Sequence, residues 1–215
     1  MGKMLMIEGV LSYPQQLWEA GQYDGAGAFY WSSTCILNPN VPAQAKCIAE
    51  LWAAEKAEFR AVWEKGKSPK PDFEKAFAAR SESERTVRDG DLKGGEYAGC
   101  KYVAARATVG KQAKPVVLDR QARAVTADGM LIGPDGQPTK MAAAGVPYAG
   151  AICIFQVELW AQYDGKYKRN NTTLMGVQFK KDGEAFGGGR PADMSKFQAL
   201  ADTGEDEDNG LAGLA

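Results

Sequence analysis

Residues 151–163, Ala-Ile-Cys-Ile-Phe-Gln-Val-Glu-Leu-Trp-Ala-Gln-Tyr, alternate in the manner of a strand with one buried face. Period-2 geometry sends Cys153, Phe155, Val157 and Leu159 to one side and Gln156, Trp160 and Gln162 to the other. Four further segments carry shorter versions of this pattern. Residues 4–11 place Leu5, Ile7 and Leu11 together, and 29–37 alternate Phe29, Trp31, Ser33, Cys35 and Leu37 against Tyr30, Ser32, Thr34 and Ile36. Residues 100–109 and 172–181 complete the set of five predicted strands. Turn chemistry at Asn38-Pro39-Asn40, Asp164-Gly165 and Asp182-Gly183 bounds them.

One strong helix interrupts the strands. Residues 43–65 are rich in Ala, Glu and Lys, and Ile48, Leu51, Trp52, Phe59, Val62 and Trp63 form an apolar stripe. That stripe predicts a helix packed on the sheet, closed at Lys65-Gly66. Lys67-Ser-Pro-Lys-Pro71 breaks it, 72–80 can form another short helix, and 81–91 reads as a polar connection. Residues 110–147 are heavy in Gly, Pro, Asp and Ala, which predicts a long functional loop or insertion. The expected fold is α+β, mainly β: a small closed five-stranded barrel with a helix inserted after strand 2. Residues 1–190 form its body and 191–215 a flexible tail.

Several chemistries are excluded by what the chain lacks. It has no histidine, which removes Ser-His and Cys-His nucleophile pairs and His-containing zinc sites. No apolar run approaches the roughly 20 residues of a membrane span, and the N-terminus turns polar too soon for a secretory signal. A cytoplasmic protein is expected. Cys35, Cys47, Cys100 and Cys153 include no C-x-x-C pair and read as reduced, buried thiols.

The net charge of −1 hides an asymmetry. Beyond Lys196 there is no base but five acids, Asp202, Glu205, Asp206, Glu207 and Asp208, so residues 1–201 carry +4. Within 101–181, twelve Lys and Arg face five acids, a local +7. A basic body with an acidic end is the pattern of a polyanion binder that carries its own competitor. The tail has too little apolar content to order itself, and its expected roles are autoinhibition and recruitment of partner proteins.

Binding single-stranded nucleic acid needs cations along the phosphates and flat rings under the bases. The predicted strands supply both. Tyr102 and Arg106 share the outer face of the third strand, flanked by Lys101, Lys111 and Lys114, with Val103 and Val109 facing the other way. Trp160 faces outward on the fourth, and Tyr163, Lys166, Tyr167, Lys168 and Arg169 gather at the following hairpin. These eleven residues are the candidate DNA contacts.

Other motifs carry less. Arg88-Asp-Gly-Asp91 with Glu96 could be a carboxylate metal site of a nuclease, but reads first as a turn with local ion pairing. Gly187-Gly-Gly-Arg190 lacks the framework of a phosphate loop, and Asp206–Gly210 lacks the terminal Glu of a calcium loop. No enzyme, metal or cofactor is expected. The alternative is a non-catalytic protein–protein or virion-associated module whose basic loops meet an acidic partner.

The order of segments along the chain resembles the phage single-stranded DNA-binding proteins of the DUF2815 group. The resemblance rests on Gly27–Leu37 followed by an Ala-rich helix, and on Arg88-Asp-Gly-Asp91. It continues through Tyr97-Ala-Gly-Cys-Lys-Tyr102, Lys114-Pro-Val-Val-Leu-Asp119, Tyr148-Ala-Gly150, the 151–163 strand and Gly176–Glu184. It implies an oligonucleotide-binding (OB) fold and sequence-tolerant coating of single-stranded DNA in phage replication, recombination or repair. It also implies residence in the host cytoplasm, with replication or recombination proteins as partners of the tail and room for a homodimer. One departure is the terminal Leu214-Ala215, where related proteins often end in an aromatic residue.

Overall fold

The computed structural model describes residues 2–23, 25–65, 72–163 and 168–186. Lys166, Tyr167 and the whole acidic tail therefore lie outside the described residues.

The first strand, β1 (Lys3–Ser12), buries Ile7 and Leu11. A single helical turn, α1 (Gln15–Trp18), leads to β2 (Gly21–Tyr23) and then to the long β3 (Ala26–Leu37). Helix α2 (Pro42–Lys65) begins with proline at a position that needs no amide donor. The Gln44 side chain reaches back to accept from the Asn38 amide at 2.6 Å. Helix α3 (Phe73–Ala78) starts at Asp72, whose carboxylate accepts from the amides of Glu74 and Lys75.

After a 3₁₀ turn at Glu82–Glu84 come β4 (Arg88–Asp89), a second such turn at Gly95–Tyr97, and β5 (Lys101–Thr108). Short strands β6 (Val116–Leu118), β7 (Met130–Ile132) and β8 (Pro138–Ala142) follow. The long β9 (Ile152–Tyr163) and β10 (Lys168–Lys181) complete the described body.

Five long strands stand where alternation places them, but the closed five-stranded barrel does not form. The hydrogen-bonded sheet has eight strands in the order β4-β5-β3-β1-β9-β10-β6, with β2 paired to β3. Strands β5 and β10 approach each other, yet no ladder joins them. The reason is that both edges are partly occupied. β4 pairs with β5 at Lys101 and Tyr102, and β6 runs parallel to β10 along Gly176–Gln178. The 110–147 stretch, expected as loop, supplies β6 and the separate β7–β8 hairpin. Strands of three to five residues are too short to display a clear period.

The core lies between the inner face of the sheet and α2. Cys153, Phe155, Val157 and Leu159 are fully buried on β9, with Leu174, Val177 and Phe179 beside them on β10. Each large side chain so buried contributes about 1.5–3 kcal/mol. From α2 come Ile48, Leu51, Ala54, Phe59 and Trp63. Trp52, expected on that stripe, is instead 51% exposed, and Val109 lies exposed just beyond the end of β5. All four cysteines are free thiols; Cys35 and Cys153 are buried, whereas Cys47 and Cys100 are partly exposed. Burial pushes the Cys153 thiol up to about 12.

Two buried polar clusters fix the segments around this core. The Glu55 carboxylate meets the Arg80 guanidinium at 3.0 Å and accepts from the Thr86 amide at 3.1 Å. Arg80 also donates to the Asn170 side chain and lies over the Phe77 ring at 3.9 Å. Asn170 in turn donates to the Glu55 carbonyl, so α2, α3 and the start of β10 are tied together. In the 110–147 segment Asp119 accepts from the Arg123 guanidinium and from the amides of Gln121, Arg123 and Ala144. Burial opposes the Asp119 charge, but these donors outweigh it and hold the carboxyl down at about 2.

Candidate nucleic-acid interface

A groove of about 930 Å³ lies over β3, β5 and β10. Its floor is small and polar: Ser32 and Thr34 from β3, Ala104 and Thr108 from β5, Thr172 and Thr173 from β10. Residue spacing explains the floor. On β5 the outward set is Tyr102, Ala104, Arg106 and Thr108, while Val103, Ala105 and Ala107 turn into the core. Register places Thr108 opposite Tyr30 and Arg106 opposite Ser32.

Four aromatic and five cationic side chains border the floor. The rings are Tyr13, Tyr23, Tyr30 and Trp160, and the cations are Arg85, Arg88, Arg106, Lys111 and Arg169. No aspartate or glutamate is among the described residues lining the groove. The Arg106 guanidinium lies 5.8 Å from the Tyr30 ring centre, so cation and ring present one composite surface. The Trp160 indole donates to the Thr173 hydroxyl at 3.1 Å, which fixes its plane across β9 and β10.

Tyr13 is held in another way. Its backbone is left-handed, with φ at +57°, an uncommon state for a bulky residue. The Lys93 ammonium sits 4.6 Å from its ring and 3.8 Å from that of Tyr97. The Tyr97 hydroxyl donates to the Ser12 hydroxyl at 2.8 Å. A half-exposed ring is thereby fixed at the groove's mouth by a buried neighbour.

Of the eleven candidate contacts, the groove collects four: Arg106, Lys111, Trp160 and Arg169. Lys101 pairs instead with Asp89 at 3.1 Å, an interaction that lowers the Asp89 carboxyl below its ordinary range. Tyr102 packs edge-on to Tyr97, with ring centres 5.3 Å apart. Tyr163 joins the aromatic cluster of α2, 4.9 Å from Trp63. Lys114 and Lys168 are exposed outside the groove, and Lys166 and Tyr167 lie outside the described residues.

Tyr13, Tyr23, Tyr30, Arg85 and Arg88 were not among the candidates. Tyr30 could have been found, since it shares a strand face with Ser32 and Thr34. Arg85 and Arg88 sit in a connection with no periodicity, and only the chain's path around α3 brings them to the groove.

The Arg88-Asp-Gly-Asp91 segment runs from β4 into a tight turn at Gly90. The Asp89 side chain accepts from the Asp91 amide, and the Asp91 side chain accepts from the Gly99 amide at 2.6 Å. A Cβ at Gly90 would lie 2.1 Å from the Tyr97 carbonyl oxygen, so no larger residue fits there. No cluster of three potential metal ligands occurs among the described residues.

Known proteins resemble this chain in sequence and in fold. A family model described as "Enterobacter phage Enc34, ssDNA-binding protein" matches residues 4–209. The "Putative protein p50" of Acyrthosiphon pisum secondary endosymbiont phage 1 is 30% identical over 200 residues, covering 92% of this chain and 93% of that protein. Among solved structures, the single-stranded DNA-binding protein from bacteriophage Enc34 superposes with a TM-score of 0.57 at 21% identity, covering 90% of this chain and 88% of that one. The same protein in complex with ssDNA also gives 0.57 at 21% identity, with coverage of 86% and 89%. These two likenesses share the fold, and the family match meets the expectation of a phage single-stranded DNA-binding protein. The chain belongs to the Enc34 phage ssDNA-binding protein family.

Proposed function

We propose that this protein is a non-catalytic, sequence-tolerant binder of single-stranded DNA and that its ligand lies in the groove over β3, β5 and β10. The observation that carries the reading is the lining itself. Among the described residues, five cations, four rings and no carboxylate meet the two needs of a single-strand site, phosphate neutralisation and base stacking. Amide side chains also line the groove, but several are tied within the protein, which suits binding that tolerates any base. Gln16 accepts from the Ser32 hydroxyl, Gln22 donates to the Gly27 carbonyl, Gln112 accepts from the Thr108 amide, and Asn170 joins Arg80 to the Glu55 carbonyl. Family membership supports the same ligand.

The architecture invites a matching inference. Strands β5, β3, β1, β9 and β10 are joined by antiparallel ladders, and β10 lies beside β5. We take these as an OB-fold opened along the β5–β10 seam, a fold known for partly open barrels that bind oligonucleotides on a sheet face. Residues 1–190 form the binding body in this reading. The acidic segment after Lys196 competes for the groove and recruits partner proteins during phage DNA replication, recombination or repair.

The test is a titration of fluorescent oligo-dT, duplex DNA and RNA at several salt concentrations. Tight binding of the single strand that weakens steeply with salt is expected. An oligonucleotide left free by micromolar protein at low salt would sink the proposal.

A further inference from the structure

A second groove, of about 440 Å³, opens between α2, α3 and the β4–β5 edge. Its most unusual member is Trp52. This ring belongs to the apolar stripe of α2 by sequence, yet half of its surface meets solvent, and it fronts the groove rather than the sheet. Arg85 and Arg88 line both grooves, so the two sites share one wall.

The charges around Trp52 favour an anion. Lys56, Arg80, Arg85, Arg88 and Lys101 outnumber the lining carboxylates Glu55, Glu82 and Asp89, each of which is engaged. Lys56 pairs with Glu74 at 2.9 Å, so the surplus rests on Arg88. Glu55 holds Arg80 at 3.0 Å, Glu82 holds Arg85 at 3.3 Å, and Asp89 holds Lys101 at 3.1 Å. Arg88 donates to the carbonyls of Arg85 and Ser83, neutral acceptors that leave its positive charge in place. A volume of this size falls within the range of about 300–1,000 Å³ typical of small-molecule sites.

We propose that the DNA strand leaves the first groove across the Arg85–Arg88 wall and that its next base stacks on Trp52. The second groove is then a nucleotide subsite of the same binding path, an inference that rests on the proposed function. Shared arginines supply the phosphate contact at the crossing, and the tryptophan supplies the ring beyond it.

The experiment compares oligo-dT of about 6 and about 20 nucleotides, the first near the lower end of single OB-fold site sizes and the second beyond their upper end. Trp52→Ala is expected to weaken the longer oligonucleotide roughly tenfold, within the range of one lost base stack, and the shorter less than twofold. Trp52→Phe should restore most of the loss. Photocrosslinking of the longer strand carrying 5-iododeoxyuridine should give an adduct on the peptide that contains Trp52. Unchanged affinity at both lengths, or an equal loss at both, overturns the subsite. Either result leaves the main groove standing if Trp160→Ala still weakens both oligonucleotides. Failure of the unaltered protein to bind either length would instead remove the proposed function itself.

Discussion

The Arg80 guanidinium and the Glu55 carboxylate lie 3.0 Å apart with both side chains only 3% exposed. Burial pulls the Arg80 pKa below its ordinary value, and the adjacent Glu55 charge works against that pull. Removing one partner strands the other in a dry site, which costs about 3–5 kcal/mol. Glu55→Gln and Arg80→Met should each lower the urea midpoint accordingly. The double variant Glu55→Leu with Arg80→Met should recover much of the loss, because no unpaired charge remains. Single variants within 1 kcal/mol of the parent would show that the pair contributes little.

Asp119 governs behaviour in acid. Its folded pKa of about 2 lies below the ordinary carboxylate value, so the charged form is favoured by folding. The stabilisation is fully present above about pH 4 and is lost as pH falls toward 2. Asp119→Asn should therefore be less stable at neutral pH and show a flatter decline in this window. Parallel acid denaturation curves for the two proteins would count against the assignment.

Salt dependence separates charge from stacking. Arg106→Ala and Arg169→Ala should each weaken oligo-dT binding and reduce the log–log salt slope by about 0.7, the value for one phosphate contact on a single strand. A slope that stays constant in both variants means that neither side chain meets a phosphate.

Trp160→Ala and Tyr30→Ala should weaken binding by about 1–3 kcal/mol for each lost base stack while leaving the salt slope nearly unchanged. Binding isotherms at two salt concentrations make the comparison. Loss of Tyr30 also frees Arg106 from its ring, so that variant is expected to show a slightly larger slope change than Trp160→Ala.

Deletion of residues 202–215 removes five acids. Low-salt affinity should rise several-fold, and the gain should fade as salt screens the competition. Equal affinity with and without the segment at low salt rules out self-competition.

The long strands were legible because alternation over eight or more residues is a strong signal. Phe155, Val157 and Leu159 point inward as the pattern requires. The groove was only half legible. Arg106 and Trp160 could be assigned an outward face, but a face does not say which other strand will stand opposite. Tyr163 shows the limit: its ring reads as available from β9 alone, and only the approach of Phe59 and Trp63 on α2 consumes it. Arg85 and Arg88 show the converse, since their importance arises from a crossing of chain segments that no local period encodes.

The unpaired seam between β5 and β10 has a mechanical consequence. Strands joined by a ladder cannot separate without breaking several amide hydrogen bonds, whereas among the described residues no ladder holds these two, which both contribute to the groove's floor, to each other. Amide hydrogen bonds across this seam therefore do not set the width of the groove. A single strand in the proposed site would present rings of two sizes, purine and pyrimidine, to a groove whose width no ladder across the seam holds fixed.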